Sequence, residues 1–256
     1  MNHKVKTGAF ILLAIIFSAS LVFTFSNSLQ LKQSVGKLSQ RLDKEVQELR
    51  KRTSPAVYVG EAVGYVIEFE NGIKFYLSGD TGLSSDMKIV INDYYKPDVA
   101  VIPISGWFNM APKEAAFATS LISPKKYVIP YHYASYPMLT ADSKEFGQEL
   151  KAYGLENKLL TLEIGKEVDV LGIKIVWLGH ASLFLTSPEG TKILIDPTTK
   201  LGIWPEEYKD FKKFGGVSAV FLTHGHPDHV AIADLDQLTE MYQPLIFAQM
   251  PGYMRG

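Results

Sequence analysis

The sequence predicts an α/β sandwich with mixed sheets, and three observations carry that expectation. From Ala62 onward, short apolar runs bounded by turn residues alternate with helix-length amphipathic segments. Some runs are joined tightly, at Asn71-Gly72 and at Pro188-Glu189-Gly190, as in antiparallel hairpins. The composition is that of an ordinary globular protein, 46% hydrophobic and 21% charged, which argues against a mainly disordered, collagen-like or coiled-coil chain.

The N-terminus stands apart from this body. Met1–Lys6 carries two lysines, and Gly8–Phe25 is an 18-residue run without a charge. As a helix it spans about 27 Å at ~1.5 Å per residue, enough for a slightly thin bilayer. The expectation is a single-pass membrane anchor over residues 1–28, with Lys4 and Lys6 cytoplasmic and the rest extracytoplasmic. The alternative is a secreted protein cleaved near Ser18-Ala19-Ser20, against which apolar residues continue through Phe25. Residues 29–55 read as a helical stalk or linker, with Leu31, Val35, Leu38, Leu42 and Leu49 at 3–4 spacing. Such a stalk could pair two chains as a homodimer, or could equally be a spacer helix lying on its own domain.

Residues 56–256 form the expected globular body. Strands are expected over 62–69 and 73–78, a helix over Asp86–Tyr95, and a buried strand over 98–104. A helix over Pro112–Leu121 has Asn109 or Ala111 near its start, and a strand follows over 126–130. Next come a helix over Ser143–Tyr153 and strands over 159–164, 173–178, 182–187, 191–196 and 218–223. A helix over Asp234–Met241 and a strand over 244–248 close the series.

Charge and cysteine content narrow the chemistry. Twenty-six Lys and Arg against 27 Asp and Glu give a net charge of −1, so the chain as a whole shows no nucleic-acid footprint. The absence of cysteine excludes disulfides, thiolate metal sites and a cysteine nucleophile. Any metal must be held by His, Asp or Glu.

The strongest signal is His224-Gly225-His226-Pro227-Asp228-His229, directly after the strand at 218–223. It holds half of the six histidines in the chain. Imidazole and carboxylate suit Zn²⁺, Mn²⁺ or Fe in a cysteine-free site. A loop leaving a strand end can aim His224 and His226 one way and Asp228 and His229 another.

This hexad, with WLGHAS (177–182) and ILIDP (193–197) ahead of it, resembles the N-terminal half of a metallo-β-lactamase-fold hydrolase. The branch it is most similar to includes ascorbate-6-phosphate lactonase and N-acylphosphatidylethanolamine phospholipase D. The other half of that pattern resembles GYVIEFENGIKFYLSGDTG (64–82), KPDVAVIPISG (96–106) and VIPYHYASYPML (128–139). The resemblance implies an αββα sandwich in which Asp80 bridges two metals and His132 binds the second. Read without it, Asp80 is equally a turn residue and His132 equally a core histidine.

The order of the halves is reversed relative to the family. The C-terminal-type half occupies 56–170 and the N-terminal-type half 171–256, so a circular permutation is expected, with a truncated tandem pair as rival. The family also places a further histidine between these halves, and this chain has none from Val230 to Gly256 or from Lys4 to Tyr131. The resemblance therefore implies one metal set of His224, His226 and Asp80, short of an imidazole, and a complete set of Asp228, His229, Asp80 and His132. His180 is expected to face the site and contact substrate, or else to be a structural histidine. Asp196 is expected to orient a ligand histidine.

The functional expectation is a metal-dependent hydrolase acting on a small-molecule or lipid-like ester, lactone or phosphodiester. Asp80, Asp228 and His180 are its candidate catalytic residues, and a metal-activated water is the nucleophile. The alternative is a membrane-tethered binding module with an incomplete metal site and no turnover.

Overall fold

A computed structural model describes residues 62–248 except 140 and 202. The expected anchor over 1–28, the stalk over 29–55 and residues 56–61 of the expected body lie outside the described residues. Among the described residues no helix is long and apolar enough to cross a membrane.

The first sheet grows from the Asn71-Gly72 hairpin. β1 (Tyr65–Glu68) pairs antiparallel with β2 (Lys74–Leu77), and Gly72 takes the positive φ of 79° that the turn demands. β3 (Val99–Pro103) and β4 (Tyr127–Tyr131) then add in parallel, giving the order β1-β2-β3-β4. Parallel neighbours need crossovers. The first is Met87–Tyr95, where a helix was expected; it is wound as a π-helix, its end marked by Lys96 N–H donating to Ile91 O at 2.8 Å. The second is the α-helix Pro112–Ile122, which starts on Pro112 at its first turn. Helix Ser143–Leu150 follows β4, capped by the Asp142 carboxylate accepting from the Lys144 and Glu145 amides.

The second sheet has six strands in the order β10-β9-β8-β7-β6-β5. β5 (Glu167–Val170), β6 (Ile173–Gly179), β7 (Ser182–Thr186) and β8 (Lys192–Ile195) form an antiparallel meander. β9 (Ala219–Leu222) and β10 (Leu245–Ala248) add in parallel, linked by helix Ile232–Tyr242. β5 precedes residue 171 yet pairs with β6, so the two sheets divide before the boundary expected at 170/171.

The expected strand over 159–164 is absent. Leu159 bridges to Val128 in the first sheet, and Ile164 bridges to Trp177 in the second. The segment crosses from one sheet to the other, so it cannot run along either; Gly165, at φ 78°, turns it onward into β5.

Strand alternation explains the layers. Ile173, Ile175, Trp177, Leu183, Leu185, Ile193 and Ile195 share one core with Phe75, Val99, Val101 and Ile129 of the first sheet. Residues of the opposite parity, Val176, Leu178, Phe184, Leu194, Val220 and Leu222, pack on Trp204, Phe211, Phe214, Leu235 and Leu238. Ala115, Ala116, Ile122, Phe146 and Leu150 cover the outer face of the first sheet. The result is helices, sheet, sheet, helix: the αββα arrangement of an α/β sandwich. At the far edge, Leu245, Ile246 and Phe247 of β10 are 68%, 45% and 45% exposed, so this strand presents apolar side chains on both faces.

Candidate metal centre

One edge of the sandwich collects the candidate residues, and strand direction is the reason. β2, β3 and β4 are parallel, so their C-terminal ends lie together. β6 and β8 both run antiparallel to β7, and β9 runs parallel to β8, so these three ends also lie together. The crevice beyond carboxyl ends of strands is where α/β proteins place their ligands. Asp80 follows β2, Asn109 follows β3, His132 follows β4, His180 follows β6, Asp196 follows β8 and the hexad follows β9.

Hydrogen bonds to the backbone fasten the two edges to each other. Val63 N–H donates to Thr223 O at 3.0 Å, and the Tyr65 hydroxyl donates to Leu222 O at 2.7 Å. His132 N–H donates to His180 O at 2.9 Å. Gly79 allows the closest approach: a Cβ there would sit 2.5 Å from Val63 O and 3.2 Å from Thr223 Cβ. His132, His180 and Asp196 hold positive φ of 57°, 51° and 42°, so three non-glycine residues at one site share a strained backbone.

His229 is the centre of the arrangement. Its Nδ1 lies 2.9 Å from Asp196 Oδ2, while its Nε2 lies 3.2 Å from His132 Nε2 and 3.6 Å from Asp80 Oδ2. Asp196 is itself gripped by Thr223, whose amide donates to Oδ1 and whose hydroxyl donates to Oδ2, both at 2.7 Å. Asp196 thus fixes the ring of a neighbouring histidine rather than entering the crevice. Asp80 Oδ1 is 3.3 Å from His132 Nε2. His180 places Nε2 3.0 Å from Asp228 Oδ2 and Nδ1 against the Ser135 hydroxyl. His224 lies 2.9 Å from His226 through Nε2 and Nδ1, with His224 buried and His226 exposed.

Two donor groups result. His132, His180, Asp228 and His229 each offer one ligand atom, all within 4.8 Å of one another, and so do Asp80, His224 and His229. His226 stands beside the second group without joining it. Nitrogen and carboxylate oxygen donors at this spacing, mostly buried, fit a divalent ion such as Zn²⁺.

Protonation follows burial and neighbours. Burial pushes His132 down to about 3 and His224 to about 4, each reinforced by adjacent imidazoles against the pull of Asp80. Burial alone would depress His229 too, but the Asp196 and Asp80 carboxylates raise it to about 10. Burial opposes ionisation of Asp80, yet the hydrogen bond from His229 and the surrounding imidazoles bring it to about 2. Asp228 is likewise held below the usual carboxylate range, against its burial, by His180 and His229.

Two residues of the site were not legible as such in the sequence. Asn109, read only as a position near a helix start, instead sends its amide nitrogen to Asp80 Oδ1 at 3.2 Å and to His132 Nδ1 at 3.3 Å. Its carbonyl accepts from the Ser105 amide and hydroxyl, which sets the amide's orientation. The helix N-cap is Ala111, with no side-chain bond. Ser135 backs His180. For Asn109 the available hint was a polar residue just past a buried parallel strand; for Ser135 there was none.

Comparison with known proteins gives a consistent picture. Residues 174–251 and residues 41–133 each match a family described as a Beta-lactamase superfamily domain. A UPF0173 metal-dependent hydrolase of Cupriavidus metallidurans is 45% identical over 111 residues, covering 43% of this chain and 38% of the relative. One from Methanopyrus kandleri is 44% identical over 110 residues, covering 43% and 46%. Among solved structures, Igni18, a metallo hydrolase of Ignicoccus hospitalis, is 39% identical over 41% of this chain and 44% of its own, with a TM-score of 0.37. The chain spans less than half the length of these curated relatives. The chain has an α/β fold of the metallo-β-lactamase type, and the relatives it matches are named metal-dependent hydrolases.

Proposed function

We propose that the protein is a metal-dependent hydrolase of an ester, lactone or phosphodiester, with Zn²⁺ as the ion that best suits its donors. The observation that carries the reading is the meeting of Asp80 and His132 with His224, Asp228 and His229, donors from distant parts of the chain held within 4.8 Å in two groups. His132, Asp228 and His229 would hold one ion, and Asp80 and His224, beside His226, a second, weaker one. Bound there, the metal supplies Lewis acidity and a water of lowered pKa. The residues do the rest. Asp196 and Thr223 lock the His229 ring, so its Nε2 points into the crevice. Asp80 and Asp228 are ionised at neutral pH and present acceptor oxygens that orient a water for attack. The buried rings of His132, His180 and His229 limit bulk water behind the site.

The reading extends to the whole chain. We propose that the two halves stand in permuted order relative to the family and that residues 1–28 serve to anchor the protein, with its body on the extracytoplasmic side of a membrane. Protease added to spheroplasts should remove the body; full protection of a cleavable body would reverse the topology. For activity, the full chain is assayed on aryl esters, lactones and bis(p-nitrophenyl) phosphate. Hydrolysis of one class should vanish with chelator, return with Zn²⁺, and fall at least 100-fold in Asp80→Ala. A chain that binds Zn²⁺ and turns over none of these would be the binding module instead.

A further inference from the structure

His180 has the stance of a metal ligand, although the sequence presents it as a substrate contact or a structural histidine. We propose that His180 ligates the same ion as His132, Asp228 and His229, so that this ion is held by three imidazoles and one carboxylate; the inference rests on the metal-centre reading above. Metal-binding imidazoles are held from outside through one nitrogen while the other faces the ion. In His180, Nδ1 meets the Ser135 hydroxyl, and Nε2 lies 3.0 Å from Asp228 Oδ2, within the 4.8 Å group formed with His132 and His229. Its ring lies 3.7 Å, centroid to centroid, from that of His132.

The backbone makes this placement rigid. β6 changes register against β7 between Trp177 and Gly179, and Gly179 turns at φ 99° where a Cβ would strike Ile203 at 2.9 Å. His180 follows in a left-handed conformation at φ 51°. Its carbonyl accepts from the Trp177 indole at 2.9 Å and from the His132 amide at 2.9 Å. The strained residue is therefore held from both sheets, which suits a fixed donor better than a side chain that must follow substrate.

A lone-pair argument assigns His229. Its Nδ1 is committed to Asp196, so only Nε2 can ligate, and one nitrogen lone pair serves one ion. His229 belongs to both donor groups and can complete only one. With His132, His180 and Asp228 it completes a four-donor set, the usual number for Zn²⁺, which also reaches five-coordination during catalysis. Asp80 and His224 are then left with His226 alone, a poorer set. One ion should bind tightly and any second weakly.

The test uses the full chain loaded with Zn²⁺ or Co²⁺. X-ray absorption on the one-ion form should count three imidazoles; a set built from Asp228, His229, Asp80 and His132 would show two and overturn the proposal. His180→Gln should weaken the tight ion at least tenfold and alter the visible Co²⁺ spectrum, while Ser135→Ala weakens it less. A His180→Gln protein with unchanged stoichiometry, affinity and spectrum would return His180 to substrate contact. Should His180→Gln not fold, the absorption measurement on the unaltered chain decides alone. A chain that takes up no ion at all would sink the metal-centre reading itself, an outcome distinct from tight binding by two imidazoles.

Discussion

Removing metal from the centre should leave a protein that weakens sharply in mild acid. His132 and His224 are held at about 3 and about 4 in the folded chain, against 6.5 for a free imidazole. Both folded values are depressed, so the unfolded state takes up two protons near pH 6 that the folded state refuses, and stability falls with pH. Between pH 7 and pH 5 these two groups together remove about 4 kcal/mol, integrating both titrations at ~1.36 kcal/mol per pH unit. His229 opposes them. Its folded value is raised to about 10, so its contribution is fully present below 6.5 and is lost progressively as pH rises from there through 10. Going from pH 7 to pH 5 it returns about 1 kcal/mol. Asp80, titrating near 2, adds nothing in this window. The net loss is about 3 kcal/mol, a large fraction of the 5–15 kcal/mol typical of a domain. Urea denaturation of the chelator-stripped chain at the two pH values measures it. The midpoint should drop at pH 5 with the slope unchanged, and His132→Gln should roughly halve the imidazole share of that drop. A midpoint that is flat or higher at pH 5 would refute the burial argument for both histidines.

Three further outcomes follow from the same geometry. Because His229 is protonated at neutral pH and a ligand must be free, Zn²⁺ binding at pH 7 should expel about one proton from it, read by calorimetry in buffers of different ionisation enthalpy; no release would show that His229 is already neutral. Asp196→Ala strands the His229 ring and the Thr223 amide and hydroxyl in a fully buried place, and should cost about 3–5 kcal/mol in urea denaturation, where a loss under 1 kcal/mol would mean the pair is not structural. Gly79→Ala meets both a left-handed backbone at φ 64° and Val63 O at 2.5 Å, so it should displace the loop carrying Asp80 and weaken binding of the second Zn²⁺ more than tenfold, with wild-type affinity there counting against the close approach.

Much of this architecture was legible because burial on both faces writes itself as continuous apolar runs, as in Val99–Pro103 and Ile173–Gly179. The hexad was legible because three histidines in six residues are rare without a metal. Asp80 and His132 were legible only through family resemblance, since each looks ordinary alone. Leu159–Ile164 misled because its apolar residues satisfy two different sheets in turn, a fact of tertiary placement invisible to local periodicity. Asn109 and Ser135 escaped for a related reason. Their partners, His132 and His180, lie 23 and 45 residues away, and no spacing rule connects them.

The crossing segment also bears on how the chain folds. Within the first sheet, strands find partners a few tens of residues away, and the second sheet's meander is equally local. The bonds that join the sheets are of another order: Val63 to Thr223, and Tyr65 to Leu222 across 157 residues. Closing such loops is entropically slow to reward, so docking of the two sheets should govern the folding rate. Leu159–Ile164 bridges to both sheets and acts as a short tether between them, raising the local concentration of one sheet near the other. Mutations at Leu159 or Ile164 should then slow folding, whereas mutations inside a hairpin should mainly hasten unfolding.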